Sequence, residues 1–141
     1  MIWRGQEKGR TLSLFLRATV APQGDRNLST FGLNAGMALH NPLPGRKDDT
    51  FVLGLGWQHL SAAAVGASLD AAAFNPGVFT ALRADETVLE ASYQYQAAAW
   101  MQVQPSVQYV HNPGGGIVDP QNPTRRAGDA LVGGLRVNIT F

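Results

Sequence analysis

The sequence contains no cysteine, and this absence excludes disulfide bonds, thiolate metal sites and cysteine nucleophiles together. Charged residues are also scarce, because they make up 15% of the 141 residues, against roughly 25% in a typical soluble domain. The formal net charge of +1 gives no reason to expect nucleic acid as a partner. No apolar run approaches the roughly 18 residues of a transmembrane helix, so we do not expect a helical membrane protein.

The N-terminal region resembles a signal peptide only in outline. Basic residues at Arg4, Lys8 and Arg10 precede an apolar stretch over residues 12–16. Arg17 ends that stretch, which makes it shorter than the roughly 7 to 15 residues of a signal-peptide core. We therefore interpret it as a β-strand, and the sequence then lacks an export signal.

Period-two alternation of apolar and polar residues is the dominant pattern, and it predicts half-buried β-strands. It recurs over six segments: residues 12–20, 31–40, 51–58, 86–95, 101–109 and 131–141. The first segment sets five residues against four, with Phe15 as an exception: Leu12, Leu14, Leu16, Ala18 and Val20 against Thr11, Ser13, Arg17 and Thr19. Six strands are therefore predicted, with Ile2–Arg4 as the tail of a seventh.

Strand length and loop length together predict the class of fold. Each segment spans about 10 residues, the length that a tilted strand needs to cross a bilayer. The two longest connections, residues 61–85 and 110–129, lie on the same side of the meander, and bacterial barrels show this asymmetry. The other connections are moderate or short: residues 21–28, 41–49, 96–100 and 5–10. The predicted fold is all-β, an antiparallel up-and-down transmembrane β-barrel meander, with a short helix in the Ala-rich stretch 61–74.

The two faces of such a barrel would meet different solvents, since the apolar face contacts lipid and the polar face lines water. Each hydroxyl of a polyol both donates and accepts hydrogen bonds, so amides, carboxylates and guanidinium groups can all pair with it. For any single residue, the alternative is that it lines the water-filled lumen without binding a solute. The residues predicted to face the lumen and the sugar path are Arg17, Asn34, Gln58, Glu86, Glu90, Gln94, Gln102, Gln104, Gln108, Arg136 and Asn138. The residues predicted to form aromatic girdles at the membrane interfaces are Trp3, Trp57, Tyr93, Tyr95, Trp100 and Phe141.

Sequence signals for catalysis are weak. The three histidines lie on separate segments without metal-ligand spacing, and no nucleophile elbow of the form G-x-S-x-G is present. Glu86 and Glu90 share a strand face but lie about 13 Å apart along an extended strand, too far for a retaining glycosidase pair. We therefore expect no catalysis, no metal and no cofactor.

One stretch resembles a known family. The sequence over residues 103–115, VQPSVQYVHNPGG, with Glu86–Glu90 and Tyr93 before it, is similar to the carbohydrate-selective porins of the OprB family. Residues 134–141 look like the last strand of that family, and the resemblance extends over about residues 12–141. Further matching positions lie upstream: residues 34–36, 44–46, 49, 57 and 59–61.

The resemblance implies that residues 1–141 form the C-terminal part of a single porin domain of roughly 16 strands. It implies passive diffusion of small, glucose-like sugars across the bacterial outer membrane. The implied partners are small sugars, outer-membrane lipid, the missing N-terminal strands and the barrel-assembly machinery, which would recognise the ending at Phe141. The chain would then be a truncated fragment, unable to form a pore alone.

Two alternatives remain open from the sequence. A soluble antiparallel barrel or sandwich that binds a small ligand would show the same alternation, because a buried core would replace lipid on the apolar face. An enzyme on an outer-membrane barrel is the other alternative, although the sequence offers no residues for it. Strand length, loop asymmetry and the Phe141 ending favour the membrane barrel.

Overall fold

The computed structural model describes residues 3–4 and 9–141, with the side chains of residues 9–141. The sheet strands are β1 (Trp3–Arg4), β2 (Thr11–Val20), β3 (Ser29–His40), β4 (Thr50–Leu60), β5 (Glu86–Ala98), β6 (Met101–His111) and β9 (Ala130–Ile139). Helix α1 (Ala62–Phe74) follows β4, and the helical turn α2 (Pro113–Gly116) and the short strands β7 (Val118–Asp119) and β8 (Asn122–Arg126) follow β6.

The main sheet is a seven-stranded antiparallel meander in the order β1-β2-β3-β4-β5-β6-β9. The sheet is not closed, since β9 is hydrogen-bonded only to β6 within the described residues. The prediction of six strands and the tail of a seventh is confirmed, although Ile2 lies outside the described residues. The separate β7–β8 ribbon was not predicted.

Several boundaries differ from the sequence prediction. Strand β9 ends at Ile139 rather than at residue 141. Ile139 pairs with Met101, which is the first residue of β6, so the neighbouring strand offers no further partner. The Thr140 N–H still donates to the Trp100 carbonyl at 2.9 Å. Strands β3, β4, β5 and β6 are longer than predicted, and the extension of β6 shortens the last long connection to residues 112–129.

Strand register divides the sheet into two faces. Ala35, Leu55, Leu89, Tyr109 and Leu131 stand side by side in one row across β3, β4, β5, β6 and β9. The next row, one residue along, belongs to the opposite face: Phe15, Gly36, Gly54, Glu90 and Gln108. We call the face of the first row the apolar face and that of the second row the polar face.

Burial on these faces is the reverse of that in a soluble domain. Leu53, Leu55 and Leu89 on the apolar face are 36–50% exposed, whereas Gln104 and Gln108 on the polar face are half-buried. Among the residues that the structure describes, Leu60 is the one buried hydrophobic side chain. A soluble barrel needs an apolar core, so the structure gives the soluble alternative no support.

The two ends of the sheet differ in their connections. The loop end carries residues 21–28, 61–85 and 112–129, and the turn end carries residues 41–49 and 99–100. Helix α1 confirms the predicted helix in the first long loop, and the Ser61 hydroxyl caps it by accepting a hydrogen bond from Ala64 N at 3.1 Å. Neither helix of the described residues is long and apolar enough to cross a membrane.

Candidate functional site

The polar face is held by hydrogen bonds between neighbouring strands. Amide side chains donate in four of these bonds, and a fifth joins the Thr50 hydroxyl to His40 Nδ1 at 2.9 Å. The four amide bonds are Gln108 Nε2 to Glu90 Oε2 at 2.8 Å, Gln104 Nε2 to Ser92 Oγ at 3.2 Å, Gln102 Nε2 to Gln96 Oε1 at 3.2 Å and Asn138 Nδ2 to Gln102 Oε1 at 3.2 Å.

The register places the predicted lumen residues on this one face. Arg17 pairs with Asn34, Gln58 with Glu86, and Arg136 with Gln104. The remaining members share the face by strand parity: Glu90, Gln94, Gln102, Gln108 and Asn138. The structure therefore brings the whole predicted set to one surface.

Glu86 has an additional contact that the sequence did not predict. Its carboxylate Oε2 accepts a hydrogen bond from the backbone N–H of Gly114 in α2. The side chain thus ties the 112–129 loop to the first residue of β5. We expect it to act on the position of that loop more than as a free group on the wall.

A cleft of about 680 Å³ opens on the polar face near the loop end. Its floor is low because β3 and β4 carry glycines there: Gly32, Gly54 and Gly56. Phe15, Asn34, Glu86 and Glu90 are among its lining residues. This cleft, bordered by the carboxylates of Glu86 and Glu90 and the amide of Asn34, is the candidate site.

The structure explains why Phe15 breaks the alternation pattern. A Cβ on Gly36 would lie 2.4 Å from Cε1 of the Phe15 ring, so the ring sits directly against the bare backbone of β3. The side chain is nevertheless 51% exposed. An apolar ring on the polar face is therefore accommodated by a glycine on the neighbouring strand.

The long loop 61–85 is fastened at its base by one carboxylate. Asp85 accepts hydrogen bonds from His59 Nδ1 at 3.0 Å and from the backbone N–H of Leu60 at 3.1 Å. Because a carboxylate can only accept, the His59 Nδ1 carries the proton. Burial raises the pKa of Asp85, but the hydrogen bonds from His59 and Leu60 outweigh it and the pKa is lowered.

The second long loop is fastened in the same way. Asp129 accepts from the Tyr109 hydroxyl, from His111 Nδ1 at 3.1 Å and from the backbone N–H of Asn112 at 3.1 Å. In both cases the aspartate just before the returning strand binds the histidine near the end of the outgoing strand and the following amide. We call these two arrangements the Asp85 clasp and the Asp129 clasp.

The Asp129 clasp has a measurable pH signature. The hydrogen bonds from Tyr109, His111 and Asn112 lower the pKa of Asp129 to about 2. A carboxyl whose pKa falls on folding stabilises the folded state above its ordinary pKa, and this contribution disappears as the pH falls through the folded pKa. We expect the Asp129 carboxyl to titrate near pH 2 by NMR, and the Asn112 amide signal to move with it; a midpoint near 4 would contradict the clasp.

At neutral pH, Asp129→Asn should loosen the base of the 112–129 loop. The measurement is hydrogen exchange at the Asn112 amide, which should speed up because its acceptor loses its charge. Asp70→Asn, on the exposed surface of α1, is the matched control and should leave that amide unchanged.

A family model for the carbohydrate-selective porins of the OprB family matches residues 1–141. The chain belongs to this family. A solved structure of OprB from Pseudomonas putida, determined at high pH, is similar with a TM-score of 0.77 and 26% sequence identity. The match covers 94% of this chain and 31% of that chain, so the chain spans about a third of the length of that OprB. No curated protein matches the sequence.

In this OprB-family chain, the aromatic residues predicted as girdles fall at both ends of the apolar face. Near the loop end, Trp57 packs against Phe31 with ring centroids 5.7 Å apart. Near the turn end, Tyr93 and Tyr95 lie on β5 and Trp100 in the turn after it. Phe141 is fully exposed beyond β9, and the Trp3 side chain lies outside the described residues. Phe31, Phe51 and Tyr109, which the girdle prediction did not include, share this face.

The turn end of this family member contains a buried carboxylate that the sequence did not predict as a site. Asp49 is 1% exposed and accepts from Arg46 Nε at 2.7 Å, from the Tyr93 hydroxyl at 2.7 Å and from Gln96 N at 2.9 Å. Burial raises the pKa of Asp49, but the hydrogen bonds from Arg46, Gln96 and Tyr93 outweigh that effect, so the pKa is lowered. The Arg46 guanidinium also lies over the Tyr95 ring at 4.0 Å. The cluster fixes the two tyrosines to the turn.

Metal chemistry has no support in the part of the chain that the structure describes. No group of three or more His, Asp or Glu side chains there could hold a metal ion. The clasps each contain one histidine and one aspartate, and both carboxylates already accept backbone hydrogen bonds. Their geometry is that of loop anchors.

Proposed function

We propose that this chain forms part of the wall of a sugar-conducting porin in the bacterial outer membrane. The observation that carries the proposal is the pair of faces: an exposed apolar face beside a hydrogen-bonded polar face, kept in register across the sheet. Such a sheet suits lipid on one side and water on the other. The family match supports sugars as the solutes.

The polar face suits passage of small, glucose-like sugars rather than their tight capture. Glu90 and Gln108 offer acceptors and donors to hydroxyl groups. The cleft is open on one side and its floor is glycine, so contacts to a sugar are few and reversible. Conduction requires binding that is weak enough to permit release. We propose passive diffusion, without a cofactor and without catalysis.

A working pore needs more strands than the described sheet contains. Single-chain bacterial barrels have 8 or more strands, and unpaired backbone groups at an open edge in hydrocarbon cost several kcal/mol each. We propose that residues 1–141 are the C-terminal part of one barrel domain and that further strands pair with the β9 edge. The assembly machinery would engage the segment ending at Phe141.

Sugar flux through the complete barrel tests this function. Glu90→Ala and Arg136→Ala should each change glucose entry into liposomes by about twofold to tenfold, the range expected for one lost hydrogen bond. Leu89→Ala, on the apolar face and outside the cleft, is the matched control and should leave flux unchanged. Absence of glucose entry through the unmodified barrel would refute the function. Unchanged flux in both variants would instead show that Glu90 and Arg136 line the lumen without contributing to sugar passage.

A further inference from the structure

Phe15 occupies an unusual position in the described strands. By register it is the one Phe, Tyr or Trp that strands β2–β6 and β9 place on the polar face. Its ring is held against β3, because Cε1 and Cζ would lie 2.4 and 2.6 Å from a Cβ on Gly36. With half of the side chain exposed, the ring presents apolar surface to the cleft.

The row that contains Phe15 leaves room beside the ring. Phe15, Gly36, Gly54 and Glu90 are consecutive members of one row. Strands lie 4.7–4.9 Å apart, so Phe15 and Glu90 are separated by about 14 Å. The Phe15 ring covers Gly36, so the open part of the row lies over Gly54, where a Cβ would meet nothing within 4 Å.

Polar groups stand around this gap. Glu90 Oε2 accepts from Gln108, and its Oε1 can accept a hydroxyl proton. The Asn34 Oδ1 would lie 3.5 Å from a Cβ on Gly56, so the amide extends over the glycine floor of the cleft. An apolar ring, a carboxylate and an amide thus border one open space.

We propose that this space is a pyranose subsite, in which the C–H face of the sugar ring packs on Phe15 while Asn34 and Glu90 bind hydroxyl groups. A pyranose with equatorial hydroxyls has a flat face of C–H groups, and aromatic rings attract the positive edges of such groups. Its hydroxyls point outward, where a carboxylate or an amide can pair with them. The subsite rests on the proposed function and would favour cyclic sugars over open-chain polyols.

Glucose and sorbitol separate this subsite from a plain wall, because they are similar in size and only glucose has a flat ring. The complete porin is placed in a planar bilayer, and each sugar's affinity is taken from its block of the ion current. Phe15→Leu should weaken glucose block about two- to tenfold, the range of one aromatic contact, and leave sorbitol block and open conductance unchanged.

Two further variants complete the test. Phe15→Tyr keeps a ring and should retain glucose affinity, and Phe51→Leu removes an aromatic from the apolar face outside the cleft and should alter neither sugar. Equal glucose block in the wild type and in Phe15→Leu would overturn the subsite while leaving the porin function intact. Failure of the unmodified porin to admit glucose would instead refute the proposed function itself.

Discussion

A Leu55→Arg substitution should destabilise the complete folded barrel by about 2–4 kcal/mol, the cost of a basic side chain at the bilayer midplane. Leu55 lies at the middle of β4 on the apolar face, between Ala35 and Leu89 in its row. An arginine there would have to leave water for hydrocarbon. Chemical unfolding of the porin in lipid bilayers, followed by tryptophan fluorescence, measures the change.

The matched control is Gly54→Arg, one residue earlier on the opposite face. A side chain at Gly54 would extend into open space, and the proposed environment there is water. We therefore expect a much smaller loss of stability. If Gly54→Arg were the more damaging of the two, the assignment of lipid and water to the two faces would be reversed.

Gly36→Ala should cost about 1–3 kcal/mol of folding stability, as expected for an added methyl group in a filled position. The new Cβ would lie 2.5 Å from the Leu53 carbonyl oxygen as well as 2.4 Å from the Phe15 ring. The ring can rotate away, but the carbonyl belongs to the backbone of the neighbouring strand. The same unfolding measurement in bilayers reports the loss.

Gly54→Ala controls for the general cost of replacing glycine in this row. Gly54 pairs directly with Gly36, and its Cβ would meet nothing. Its substitution should be neutral or slightly stabilising, because alanine has less freedom than glycine in the unfolded chain. Combining Phe15→Ala with Gly36→Ala should recover only part of the stability, because the close contact with the Leu53 carbonyl oxygen remains. Equal stabilities of Gly36→Ala and Gly54→Ala would rule out the close contacts at Gly36.

The strands could be predicted from sequence because their signal is local. Residues such as Leu131, Leu135 and Val137 alternate with polar or small neighbours, and period two alone assigns them to one face. The antiparallel order followed from the lengths of the connections. The predicted wall residues consequently share a face in the structure, although their part in sugar passage stays a prediction.

The parts that could not be predicted depend on partners distant in sequence. Asp49 meets Tyr93 and Gln96 only after β3, β4 and β5 have paired. The glycine floor of the cleft also requires register, because Gly32 on β3 and Gly54 and Gly56 on β4 come together only when these two strands pair. Phe15 was visible as a break in the pattern, but the pattern does not show which residue makes room for its ring.

The two clasps make the alignment of the strands independent of the long loops at the loop end. One clasped loop contains helix α1 and the other contains α2 and the β7–β8 ribbon, yet each is closed at its base by an aspartate, a histidine and one backbone amide. Lengthening a loop adds little closure entropy. Because β4–β5 and β6–β9 each have a clasp of their own, we expect residues beyond a clasp to tolerate insertion, deletion or exchange while the strands below stay aligned. The surface at the loop end can therefore change in sequence over evolution without a matching change in the strands.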